Sequence, residues 1–461
     1  MPSQFIYHDP SIASLLILSN YFYFLNLFGW AFEWLLSAGL LGQILIGIIW
    51  GSPLAGWLHI EWQETFVVVG YVGLLIVVFD GKPMHGQSIE NMSLKFSVLD
   101  CLLGGASTSL STLTGLLPLS TCIALSGLLV PIALSFLLTP MFNFPRLHSF
   151  AAGSALSSTS LGTVLTLLSG PSLGFDIKRT KLGTALLGAA VMDDVVAFIL
   201  SEILSLAGEN NAAGAMALGG HIGRAIGVTF GFGVAMIPLT KYLAGPAFLF
   251  LKRTRSGKWR TKAGREGLLF LMSCLFMAMI AGTRYAGTSP LYGAYLAGLV
   301  VSYLNDLDTR ADLGANELNM LVSDTEYTAT QGQETALAAS HSEFRTNSHE
   351  SHPTLIDTFE HYITPILTYL LLPIFFGSIG YSIPFLPMWR GNILWRGAIY
   401  AILMTFAKAF CGVWLLIWKI PGSQGTFIAG MRDRARGSWK GAVLLGFAMI
   451  ARGEIGLLYV V

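Results

Sequence analysis

The 461 residues are 53% hydrophobic and only 11% charged, with a mean hydropathy of +0.63, well outside the profile of an average soluble domain. Lys and Arg total 27 against 26 Asp and Glu, for a net charge of +1. The basic residues sit in short blocks between apolar runs instead of covering one face, so nothing supports a nucleic-acid partner; the composition is that of a polytopic membrane protein.

The first thirty residues lack a basic leader and run straight into further apolar sequence, which reads as a first span and not a cleaved signal peptide. A helix needs about 20 apolar residues to cross the hydrocarbon core. Spans are therefore expected near residues 11–30, 33–51, 64–80, 115–139, 147–169 and 182–206, then near 219–244, 267–285, 289–304, 361–383, 393–418 and 438–461. That makes about twelve, in an all-α protein. Between the third and fourth, Asp80 to Leu103 ("DGKPMHGQSIENMSLKFSVLDCLL") is polar and then mildly apolar, with no motif or helical stripe.

Three basic blocks set the orientation: Lys178 to Lys181, Lys252 to Arg265, and Lys419 to Lys440 with Arg432, Arg434 and Arg436. All fall on one side if the N-terminus is outside, and the positive-inside rule makes that side cytoplasmic. Residues 1–304 then form a first transmembrane part and 358–461 a second. Residues 305–357, rich in Ser, Thr and Glu, read as a disordered polar cytoplasmic linker. His341, His349 and His352 lie in that linker, where adventitious metal contact is the plainer reading. The four cysteines are scattered and imply no disulfide framework or metal-ligand spacing.

A charge at mid-span costs a few kcal/mol even on the lenient insertion scale, so it faces a cavity or a partner. The expected spans hold Asp193 and Asp194 in "AAVMDDVVAFIL", Glu202 two turns later, Lys408 in "LMTFAKAFCGVW", and Arg452 with Glu454 in "MIARGEIG". Adjacent helical positions project about 100° apart, so the two aspartates cannot share one job on one face. One is placed to meet a buried cation while the other faces water. Packing carboxylates are the plain alternative, but two adjacent acids with a distant lysine favour function. Lys408 lies too far from either end of its span for simple snorkelling.

Two stretches read as interrupted helices. "SALSSTSLGTVL" crowds Ser157, Ser158, Thr159 and Ser160 into an apolar span, and Met449 to Gly456 does so with Arg452 and Gly453. Broken helices at the midplane free carbonyl oxygens, and many secondary transporters build ion sites this way. Hydroxyls are hard donors suited to a small alkali cation beside a carboxylate. Thr159 and Ser160 are candidate cation contacts, although hydroxyls in membrane helices often only bond the preceding carbonyl. Glu202, near the outer end of its span, reads as a vestibule charge. These features favour an ion-coupled transporter. An intramembrane aspartyl protease needs two aspartates from different helices converging on one water, so no enzyme is expected.

Together with "GLLGQILIGIIWGSPLAGWL", "YGAYLAGLVVS" and "LPIFFGSIGYSIP", these motifs make the chain resemble the monovalent cation:proton antiporter-2 family, most closely its fungal sodium or potassium/proton exchangers. The resemblance implies about thirteen helices in an inverted-repeat arrangement, with a dimerisation bundle, a core bundle holding two crossed interrupted helices, and assembly as a homodimer. It implies that Asp194 carries the cation and the proton in turn and that Asp193 pairs with Lys408. Arg452 and Glu454 would brace the second broken helix. The implied activity is antiport of Na+ or K+ against H+ by alternating access, with no cofactor and no metal beyond the transported alkali cation. The bilayer is the other implied partner. The plasma membrane is favoured over an endosomal or vacuolar one. Against the family pattern, residues 80–103 form an insert, read as a retained intron or gene-model error more readily than as a lineage-specific loop. The chain also stops at Val461, about seven residues past Glu454, where the pattern continues into a final helix. On that ground a cation channel or a transport-inactive regulatory member is the alternative expectation.

Overall fold

The computed structural model describes residues 9, 11–36, 38–80, 110–159, 181–209, 215–255, 262–305, 307–308, 355–418 and 427–450. Nearly all of the expected insert and linker, and everything from Ala451 onward, lie outside the described residues.

The described chain is helical almost throughout. In order, α1 is Ile12–Leu36, α2 Gly39–Trp50 and α3 Ile60–Asp80. Next come α4 (Leu110–Ser135), the short α5 (Leu138–Phe142), α6 (Arg146–Ser157) and α7 (Lys181–Glu209). α8 (Ala215–Pro238) runs through a π-helical stretch, Leu239–Ala244, into α9 (Gly245–Arg255). α10 is Lys262–Ala286, and α11 covers residues 290–305. α12 (Leu355–Tyr362) and α13 (Thr364–Ile366) lead through a second π-helical stretch, Leu367–Leu371, into α14 (Leu372–Ser382). α15 (Phe385–Met388) precedes α16 (Gly391–Ala409), a 3-10 turn at Phe410–Gly412, and α17 (Val413–Ile417). α18 is Phe427–Ile450.

Each of the twelve expected spans overlaps one of these helices, and seven of the described helices are long and apolar enough to cross a bilayer. Three boundaries differ from expectation. α2 has only 12 residues, about 18 Å of rise, because α1 runs on to Leu36 and α2 begins only at Gly39. α18 begins at Phe427, so Arg432, Arg434 and Arg436 are helical and not in a loop. Arg, Ala and Met are strong helix formers, which carries the helix on through the charged stretch. The span read at 147–169 stops being helical at Ser157, with extended backbone at Ser158 (φ −63°, ψ 136°).

Polarity is inverted relative to a soluble protein. Trp34, Phe250, Phe270, Trp395 and Phe406 are exposed, whereas Ser135, Ser154, Thr159, Asp193 and Lys408 are fully buried. Continuous exposed apolar surface on this scale requires a nonaqueous surround.

Of the four apolar clusters in the described interior, two meet along α7. One apolar cluster draws on α2, α3, α10, α11 and α14, including Leu74, Phe79, Leu291 and Phe376. A second joins Leu119 and Ile123 of α4 to Cys411, Leu445 and Met449 of the 3-10 turn and α18. α7 lies in the seam between them: Leu186 and Ala189 belong to the second cluster, Ala197 and Phe198 to the first.

Within the first group α2 and α14 pack directly on each other. The backbones touch there: a Cβ added at Gly380 would stand 2.5 Å from the Ile44 carbonyl oxygen and 2.8 Å from the Ile48 nitrogen. Close approach of small residues is a main source of helix association where lipid is the solvent. Tyr21 of α1 and Tyr381 of α14 add a buried hydroxyl-to-hydroxyl bond. Gly380→Val is expected to lower stability by about 1–3 kcal/mol through overpacking against backbone. Gly397→Ala, where a Cβ meets nothing within 4 Å, should leave stability unchanged or raise it slightly. Thermal unfolding of the detergent-solubilised protein compares the two.

Candidate ion site

The site forms where α6 ends, α7 passes and α16 enters its last turn. Lys408 is wholly buried on α16, and its Nζ donates a 2.7 Å hydrogen bond to Thr159 Oγ1. The same Nζ lies 3.5 Å from Asp193 Oδ2, with both side chains inaccessible to solvent. Thr159 follows directly on the end of α6, where the last carbonyls of a helix carry partial negative charge. The ammonium is therefore compensated twice, by a carboxylate and by a hydroxyl at the carbonyl end of a helix.

The surrounding residues make room for that charge. A Cβ at Gly127 of α4 would sit 3.6 Å from Lys408 Nζ and 3.2 Å from both Cys411 Sγ and Met449 Cε. Ser126 donates to the Ile123 carbonyl at 3.0 Å and stands 3.8 Å from Cys411 Sγ. The Asp193 Oδ1, Ser154 Oγ and Ser158 Oγ atoms are buried without a hydrogen-bond partner among the described residues. Each of these buried oxygens has capacity left for an ordered water.

Asp194 is turned elsewhere. It is half-buried where Asp193 is closed off, and it lies within electrostatic reach of Tyr295 on α11. Phe198, one turn further along α7, has its ring 5.7 Å from Tyr295 and 6.4 Å from Tyr292. The 100° step between neighbouring helical positions thus sends one carboxylate into the α4–α6–α16 group and the other to the seam with α11.

Of the residues singled out in the sequence, the structure brings Asp193, Thr159 and Lys408 together and sets Asp194 one position away, facing the seam. Ser160, Arg452 and Glu454 lie outside the described residues. Gly127 and Tyr295 were missed. Tyr295 stands within the "YGAYLAGLVVS" motif, which could have pointed to it; Gly127, in an unremarkable "SGLLVP", gives no such signal.

The sequence profile described as sodium/hydrogen exchanger, transmembrane, matches residues 22–324, and the chain belongs to that family of integral, multi-pass membrane proteins. The chain is 23% identical over 421 residues to a protein of Bacillus cereus named as the probable Na+/H+ antiporter GerT, covering 91% of this chain and 82% of that one. It is 22% identical over 421 residues to the Na+/H+-K+ antiporter GerN of the same organism, covering 91% and 79%. Its fold matches that of the sodium proton antiporter NhaP1 of Methanocaldococcus jannaschii, with a TM-score of 0.52, 16% identity, and coverage of 97% of this chain and 96% of that one.

Removing one partner of a wholly buried ion pair leaves the other charge uncompensated. Lys408→Ala is expected to cost about 3–5 kcal/mol of stability, and adding Asp193→Asn to recover part of the loss. Melting of the single and double variants in detergent checks both.

Proposed function

We propose that the protein is a secondary antiporter that exchanges Na+ or K+ for H+ by alternating access, with cation and proton competing for Asp194. The observation that carries the reading is the split of the acidic pair. Asp193 is held by a buried lysine at a helix end, while Asp194 faces the seam between two packing groups. The names of GerT, GerN and NhaP1 support the same exchange.

The apolar seam explains why such a site would couple its two substrates. Asp194 neighbours Ala197 and Phe198, whose partners across the seam include Tyr292 and Tyr295. A bare carboxylate is costly to carry past such a surface, whereas one neutralised by a proton or a bound alkali ion is not. Movement of α7 against α11 is then available only to the loaded forms, which is the condition for exchange without leak. The Asp193–Lys408 pair stays with the moving helix and keeps Asp194 in register. Thr159 and Ser160 would complete the oxygen shell around the cation. The basic blocks, by the positive-inside rule, support an N-terminus outside and a linker in the cytoplasm.

In everted membrane vesicles holding a preset proton gradient, added Na+ or K+ is expected to collapse the gradient. Asp194→Asn should abolish that response while the protein remains folded and in the membrane. A gradient indifferent to both cations, or an active Asp194→Asn variant, would overturn the antiport reading.

A further inference from the structure

α7 carries a third acid whose role the ion site does not account for. Glu202 lies eight residues beyond Asp194 towards Glu209, about 12 Å along the helix, and is only 8% exposed. Its Oε1 stands 4.0 Å from Nη1 of Arg284, a side chain 64% exposed in the last turn of α10. Tyr71 of α3 is within electrostatic reach of both. Arg284 comes just before the tight turn at Gly287 (φ 86°), and the Arg224 guanidinium of α8 approaches that turn to 3.7 Å from where a Cβ would stand. The contact therefore joins the helix that bears the acidic pair to the opposite side of the seam. It does so about 12 Å from Asp194, towards the Glu209 end of α7.

We propose that Glu202 and Arg284 form a latch that holds the seam shut at the Glu209 end of α7, and so sets how often the site faces each side. The latch rests on the alternating-access reading above. Its geometry suits a contact that opens in every cycle. A single 4.0 Å approach to a largely solvated guanidinium biases an equilibrium by about two- to fivefold. A wholly buried pair such as Asp193–Lys408 would hold the seam closed. Because both partners regain water when the seam opens, the contact is lost without leaving a charge stranded in hydrocarbon.

The test measures apparent cation affinity separately from each face, in right-side-out and inside-out vesicles, for the wild type, Glu202→Gln, Arg284→Gln and the double variant. Apparent affinity scales with the fraction of protein in the binding-competent state. Each single variant should raise it about two- to fivefold on the side towards which the Glu209 end faces, without raising it on the other. The double variant should match the singles, since one contact is removed in all three. No shift, equal shifts from both faces, or additive shifts in the double variant would overturn the latch. Arg284→Gln, whose side chain is mostly in solvent, is decisive by itself if Glu202→Gln fails to fold. A wild type that shows no cation-evoked proton flux, or flux that survives Asp194→Asn, would overturn the antiport reading and the latch with it; normal flux with unshifted variants would overturn the latch alone.

Discussion

A lysine ammonium with no access to water must be answered by negative charge wherever the chain can supply it, and the centre of this protein is organised around that requirement. Lys408 on α16 is met by Asp193 from α7 and by Thr159 at the end of α6, while α4 contributes Gly127, the residue without a side chain at that point. Four helices are thereby committed to one crossing. Moving any of them by an ångström would separate charges whose desolvation costs several kcal/mol each. The end of α6 at Ser157 belongs to the same arrangement. A continuous helix would satisfy its own carbonyls and offer the ammonium nothing, whereas a helix that stops there presents a partial negative charge beside the Thr159 hydroxyl.

That rigidity on one face of α7 leaves its other face to do something different. Leu186, Ala189 and Asp193 tie the helix to α4, α16 and α18, whereas Ala197 and Phe198 meet the α11 group through apolar and aromatic contacts. Apolar surfaces in a lipid setting are held by packing alone, without strong directional bonds. In the antiport mechanism proposed above, the seam is the plane of relative movement, and Asp194 faces it. A charged centre fixed to one group and exposed to a slippery boundary is the physical minimum for a carrier. The Glu202–Arg284 contact is polar and crosses the same boundary, as the proposed latch requires.

Much of the architecture was legible because the bilayer imposes simple rules on sequence. Apolar runs of about 20 residues, separated by Gly, Pro and basic blocks, gave twelve expected spans, each of which overlaps a described helix. The exceptions came from information of another kind. The brevity of α2 and the extension of α18 back to Phe427 depend on where one helix gives way to the next and on helix propensity, which hydropathy does not record. Within the site, mid-span charges were conspicuous because each is expensive, so Asp193, Asp194 and Lys408 stood out from composition and position. Gly127 did not, because its contribution is an absence of atoms beside a residue 281 positions away in the chain.

The sequence by itself therefore determined which residues carry charge into the membrane, the family to which the chain is similar, and the 100° divergence of two neighbouring carboxylates on one helix. It could do so because hydrophobic length, charge cost and helical pitch are local properties. Only the tertiary structure decided what each carboxylate faces. Asp193 meets an ammonium 215 residues distant, Asp194 meets the seam with α11, and Glu202 meets an arginine from the far side of that seam. These pairings depend on where helix axes cross, and the crossings are set by packing between residues far apart in the chain, at points such as Gly127 and Gly380 where two backbones or a backbone and a charge must nearly touch.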